Sequence, residues 1–296
     1  MAAQLPSIRA LPRPAVRPRL SVRRLRLAGL PLDVVIPASV FVLVALACFV
    51  GPALFHIQGP SAGNLLATNL PPLSAGHLFG TNALGDDLLS LCLFGGRVSI
   101  EVGLGSVGLG LVIGTALGVS AGFFGGPAEA TIMRVLDMLL AFPSLVIAAT
   151  ITTYLGQNEH NVIFAIAFFT VPAMARLARA STLKVRDRDY IAVARISGRP
   201  PRAIVVRHVL PNIAPQLMTF SILMVGTAIL IEAALSFLGL GVPPPQPSWG
   251  QLIAAGQNVL QTQPWFIFEP GAFLLVTVLC LNLLGDALRI RWAEER

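Results

Sequence analysis

Apolar residues run through this chain in long uncharged stretches, separated by short polar, glycine-rich or proline-rich breaks. A bilayer's hydrocarbon core is about 30 Å thick and takes about 20 apolar helical residues to cross. By that measure the pattern predicts six membrane-spanning helices. The first, about Val34–Phe55, carries no charge, and a polar segment rich in Gly, Pro and Asn follows over 56–97. The second covers about Val98–Gly122, charged only at Glu101 near one end. The third, about Ile132–Thr153, contains Pro143, and the fourth, about Val162–Ala178, contains Pro172. The fifth opens near Pro211–Asn212 and runs to about Leu235. The segment "GLGVPPPQPSWGQ" then leads to a sixth span near Gly271–Leu288. Within the second span Gly110, Gly114, Gly118 and Gly122 recur every four residues. That spacing puts them on one helix face, where a second helix can approach closely.

Composition agrees with the pattern. Charged residues make up 12% of the chain, against about 25% in soluble domains, and the mean hydropathy is +0.76. The fold class expected is all-α, a polytopic membrane protein. The formal charge is +7, but the basic residues lie beside spans, which argues against nucleic acid as a partner. Residues 1–32 hold seven Arg and no acid, and no apolar core precedes a small-residue cleavage site. They read as a disordered basic cytoplasmic tail on anionic headgroups rather than a cleaved leader. Residues 33–296 form the membrane domain. With six spans, twenty of the twenty-one Lys and Arg residues fall on one side, and only Arg97 lies opposite. Positive residues mark the cytoplasmic side, so both termini and the 178–211 loop are expected there.

Candidate chemistry is sparse. "GLGSVG" (103–108) matches a dinucleotide-binding pattern but lies inside an apolar span without the strand that pattern needs, so it reads as helix packing. Lys184 is the single lysine and no phosphate-binding "GK[ST]" occurs. Cys48, Cys92 and Cys280 show no metal or disulfide spacing; the first and last lie in apolar runs and Cys92 in a connecting segment. No catalytic residue and no metal site is predicted. Among the acids, Asp137 lies three residues after Arg134, which suits an i, i+3 pair at the boundary. Glu232 lies deep along the fifth span. It either faces a water-filled path or pairs with a neighbouring subunit. Glu101, Asp286 and Arg289 read as interfacial.

The richest stretch is "RDYIAVARISGRPPRAIVVRHVLPN" (188–212), with five Arg and one His against Asp189. "YIAVARISG" predicts a short helix closed by Gly198, which tolerates left-handed angles. "RPPR" stops further helix, and Pro211 reopens one in its first turn. A short helix lying across the cytoplasmic face, held between two spans, is a surface for a cytoplasmic partner.

In order and spacing, Ala192, Ala194, Gly198, Leu210 and Pro211 resemble the cytoplasmic EAA loop of ABC importer permeases. "HLFGTNALGDDLLSLCLFGGRVSI" (77–100), "IMRVLDMLLAFPSLVIA" (132–148), "ALSFLGLGVPPPQPSWGQLI" (234–253) and "NLLGDALR" (282–289) narrow the likeness. They are similar to the dipeptide/oligopeptide branch, second-subunit (OppC/DppC) type. The chain departs at the motif's Glu, which is Ala192 here, at its second position, Val193, and at its later Ile, which is His208. Gly85-Asp86-Asp87 stands where the branch has Gly-Arg-Asp.

The resemblance implies a type I importer permease fold in a bacterial inner membrane. Its expected partners are a second homologous permease subunit, two ATPase subunits and an extracytoplasmic binding protein delivering peptide. ATP and Mg would be bound by the ATPase subunits, with no cofactor on this chain. On the coupling helix, which includes Ala192 and Val193, Tyr190, Ile191, Ala194 and Arg195 are expected to present the docking face. Gly198 makes the turn, and Leu210 and Pro211 end the loop. Outside, Asp86, Asp87 and Trp249 lie in segments that could touch the binding protein, and Pro143 and Pro172 are candidate kinks lining the path. The alternatives are a proton-coupled secondary transporter, which would want paired intramembrane carboxylates and internal repeats, and a membrane scaffold without transport.

Overall fold

The computed structural model describes residues 26–27, 30–54, 56–57, 59–60, 63–74 and 76–294. Most of the basic tail expected over 1–32 lies outside them. A two-residue antiparallel ladder, Arg26–Leu27 with Leu30–Pro31, precedes the first span. Nine helices carry the fold described here: α1 Leu32–Phe49, α2 Leu88–Phe124, α3 Gly126–Leu140, α4 Ser144–Leu155, α5 Glu159–Arg186, α6 Asp189–Ile196, α7 Pro201–Phe237, α8 Trp249–Gly256 and α9 Trp265–Glu294. Among the described residues five helices are long and apolar enough to cross a membrane, six if α3 and α4 count as one broken span. The chain is thus a multi-pass membrane protein.

Local chemistry sets the ends. The Asp87 carboxylate accepts the Ser90 N–H at 2.9 Å and starts α2 ten residues before the predicted Val98. Cys92, Gly95, Gly96 and Arg97 therefore belong to a helix, not to a polar connection. Gly125, at φ +70°, ends α2. Asn158 caps α5 through the Asn161 N–H at 2.9 Å, and that helix continues past the predicted Ala178 to Arg186. The third span is not straight. At Pro143 the chain bends by 86° between α3 and α4, because proline lacks the N–H and crowds the preceding turn. Pro172, by contrast, sits buried inside a continuous α5.

Two wide π-helical turns interrupt the long spans, Gly110–Gly114 in α2 and Val205–Val209 in α7. The second stands directly ahead of Pro211, whose ring would press on the carbonyl four residues back in a regular α-helix. The fifth span accordingly starts at Pro201, not near Pro211, and Leu210 and Pro211 lie within it. The sixth begins at Trp265 and absorbs six residues ahead of the predicted Gly271.

α7 is the central helix, packed against α2, α5, α8 and α9, while α1 rests on α2 and α9. Its apolar window is 56% buried, against 22% for α1 and 28% for α9, so those two form the rim. One apolar core joins α2, α5 and α7 with Trp249. A second lies at the other end of the bundle, around Val119, Met174 and Ile213.

Candidate functional site

The basic segment folds into α6, a turn, and the first turns of α7. Arg188 has extended angles ahead of α6, and Asp189 sits in the first turn, where a carboxylate complements the helix dipole. Gly198 closes the helix at φ +73°, with its N–H on the Arg195 carbonyl at 3.0 Å and the Arg199 N–H on that of Ala194 at 3.2 Å. A Cβ at Gly198 would meet nothing within 4 Å. The glycine is needed for its backbone angle, not for space.

Which side of α6 faces outward differs from the sequence expectation. Ile191 is 0% and Ala194 6% exposed, packed among Phe123, Ala178, Ile204 and Val209. They fasten α6 to the bundle and present nothing to a partner. Helical spacing puts Val193 and Ile196 on the opposite side, at 61% and 88% exposed, with Tyr190 at its edge at 43%. Ala192 is exposed beside them. Arg195 folds back, its guanidinium 5.2 Å from the centre of the Phe123 ring. The Tyr190 ring lies 6.4 Å from that of His208. His208 stands in the wide turn of α7 with its buried Nε2 lacking a hydrogen-bond partner among the described residues. Leu210 is half-buried and Pro211 exposed. The result is an apolar face on a helix fastened to the bundle, with Arg199, Arg202 and Arg207 exposed in the segment that follows.

The bundle itself is joined along the glycine face. A Cβ at Gly114 would come within 2.5 Å of the Val171 carbonyl oxygen, and one at Gly118 within 2.2 Å of that of Ala175. Gly110 and Gly122 meet the side chains of Thr170 and Thr182, at 2.5 and 2.9 Å from such a Cβ. So α2 and α5 touch backbone to backbone, and Thr170 donates to the Ser106 carbonyl across the contact at 2.8 Å. The two wide turns flank an apolar groove of about 550 Å³, lined by Leu111 and Val112 on one side and Val205 and Leu210 on the other.

Charges pair between helices. Asp137 receives Arg176 of α5, from Nη2 at 2.6 Å and Nε at 3.1 Å, not Arg134 as the spacing suggests. Glu129 pairs with Arg179 of the same helix, Nε at 2.6 Å. The α3 helix lies along α5, so the partner across the interface wins over the one along the helix. Glu101 keeps an i, i+4 partner, Arg97, at 2.9 Å.

At the other end, the residues expected to face a binding protein are turned inward. Trp249 is 0% exposed, its indole N–H on the Cys92 carbonyl at 2.9 Å. Asp86 accepts from the Asn82 amide at 2.8 Å, and Asp87, besides capping α2, pairs with His77 Nδ1 at 2.9 Å. Glu232 is fully buried, with Ser99 Oγ at 2.7 Å and Ser236 Oγ at 2.6 Å. It faces neither an open path nor a second subunit, because its own chain encloses it. Those serines went unread in the sequence; a small hydroxyl in an apolar run signals only that it fits.

Residues 114–292 match the family described as "Binding-protein-dependent transport system inner membrane component". The chain is 40% identical over 263 residues to a probable D,D-dipeptide transport system permease protein, DdpC, of Escherichia coli (strain K12), covering 89% of this chain and 87% of that one. It is 37% identical over 257 residues to a glutathione transport system permease protein, GsiD, of Pectobacterium atrosepticum, covering 86% and 85%. With the oligopeptide permease OppC of E. coli K12 it shares 36% over 254 residues, covering 85% and 84%. Among solved structures, the MetNI methionine ABC transporter in an inward-facing conformation has a chain matching 68% of this one and 95% of its own, with a TM-score of 0.58 at 18% identity. That likeness concerns the fold.

Proposed function

The chain belongs to the family of binding-protein-dependent transport system inner membrane components, and on that footing we propose that it is one of two unlike permease subunits of an ATP-driven peptide importer. Relatives named for dipeptides, oligopeptides and glutathione support a peptide or peptide-like cargo. The family description supports an inner membrane, and the charge asymmetry supports both termini and α6 on its cytoplasmic side. In this reading two ATPase subunits hold ATP and Mg, and an extracytoplasmic binding protein delivers the cargo.

One observation carries the coupling role. Tyr190, Val193 and Ile196 expose an apolar face on a short helix whose other face is locked into the bundle by Ile191 and Ala194. Closure of the ATPase pair would push this helix. A helix so fastened passes that displacement to α7, which starts three residues after Gly198, and to α5, which ends just before α6. The protein then needs two states that ATP and cargo favour unequally. A proton-coupled carrier finds little support, since Glu232 is held by serines and, among the described residues, paired with no second carboxylate.

The test is Ile196→Asp. An exposed position tolerates substitution within about 0.5 kcal/mol of stability, so the subunit should insert and assemble with its permease partner. Co-purification of the ATPase should be lost, and ATP-dependent uptake into vesicles should fall at least about tenfold, equal to about 1.4 kcal/mol of docking. Uptake at the wild-type rate would contradict the docking assignment.

A further inference from the structure

At the end of α7 opposite α6, Glu232 gathers hydroxyls from two helices. Ser99 of α2 donates to one carboxyl oxygen at 2.7 Å, and Ser236, one turn further along α7, donates to the other at 2.6 Å. Ser248, the buried N-cap of α8, takes the Gln251 N–H on its Oγ at 3.3 Å. Ser99 Oγ also takes the Trp249 N–H at 3.4 Å. Both Ser99 and Ser248 are 0% exposed. Around this point the backbones touch: a Cβ at Gly250 would lie 2.2 Å from the Ala233 carbonyl oxygen, and one at Gly96 2.5 Å from the Trp249 ring.

A carboxyl group enclosed in an apolar interior costs several kcal/mol unless hydrogen bonds hold it. A leucine would fill the space without that cost but would leave two buried hydroxyls without their acceptor. What the carboxyl adds is connection: it joins α2 to α7, and the Ser99 hydroxyl it holds receives the N–H of Trp249, the first residue of α8. We propose that Glu232 is a positioning residue for transport. Through Ser99 its carboxyl fastens α8 to α7 and α2, so that this end cap moves with α7 as one body when the helix is displaced from its α6 end. The inference rests on the ATP-driven permease reading above.

The experiment uses the complete complex with its partner permease and ATPase subunits. Spin labels go on cysteines introduced at Gln257, just beyond α8, and at Leu230 of α7, both exposed. The native cysteines are buried. The wild-type pair should give one narrow distance, the same with and without trapped ATP. Glu232→Leu should lose that single peak and differ between the two conditions. Glu232→Gln, which keeps a carbonyl acceptor, should restore it. Ser99→Ala should behave like Glu232→Leu, and it decides the matter if the leucine variant does not assemble. A merely structural role would lower the yield of complex and leave the distance narrow. The proposal is overturned by a wild-type distance that changes with ATP, by a narrow unchanging distance in the leucine or serine variants, or by a glutamine variant as broad as leucine. A wild-type complex that shows no ATP-dependent uptake into vesicles would count against the permease reading instead.

Discussion

Ile191 and Val193 sit two positions apart on one short helix and have opposite surroundings, one at 0% and the other at 61% exposure. Residue types do not separate them; only the packing of α6 on Phe123, Ile204 and Val209 does. This is why the helix and its glycine stop were legible in the sequence while its outward face was not. Glu232 was legible as an oddity, but its partner Ser99 is 133 positions away, beyond any local pattern. The glycine face lies at the other extreme, since a four-residue period states its own geometry. At this scale the expectation is sharp. Gly118→Leu drives a side chain against the Ala175 carbonyl, a backbone atom with no room to yield. The cost should reach at least about 1–3 kcal/mol, read as a lower denaturation midpoint and a reduced yield in detergent. Gly108→Leu, where a Cβ would meet nothing within 4 Å, should leave the midpoint unchanged or higher, because leucine is the better helix former.

Among the elements, the spans were legible as apolar runs and their ends were not. The start of α2 is set by the Asp87 cap, and its early turns hold Gly95, Gly96 and Arg97, which read as loop. Those glycines admit Ser248 and Trp249 against the helix, a tertiary reason invisible along the chain. The 86° break at Pro143 turns the third span into two helices, and α3 then lies along α5 with Glu129 on Arg179 and Asp137 on Arg176. Exposed ion pairs contribute about 0–1 kcal/mol each, so neutralising Asp137, itself half-exposed, should barely move stability. Charge reversal differs in sign. Glu129→Arg sets two cations side by side and should destabilise by about 1 kcal/mol. The exchange Glu129→Arg with Arg179→Glu should recover most of it. Thermal unfolding of the purified subunit at low and high salt checks both, and the difference should shrink as salt screens it.

For the molecule as a whole, two devices sit at opposite ends of α7. At one end α6 offers an apolar face; at the other Glu232 and its serines tie the cap to the same helix. Between them, backbone contact along the glycine face joins α2 to α5. That layout suits a body displaced from one end and answering at the other. Its central claim is that α6 is the point of application, and the direct measurement is crosslinking in assembled complexes. With Ile196→Cys, a short bifunctional reagent should join this chain to the nucleotide-hydrolysing subunit, while Leu66→Cys, on the exposed loop before α2, should not. If Ile196→Cys instead reacts with an impermeant thiol reagent added outside intact cells, or crosslinks to no such subunit, the account is contradicted.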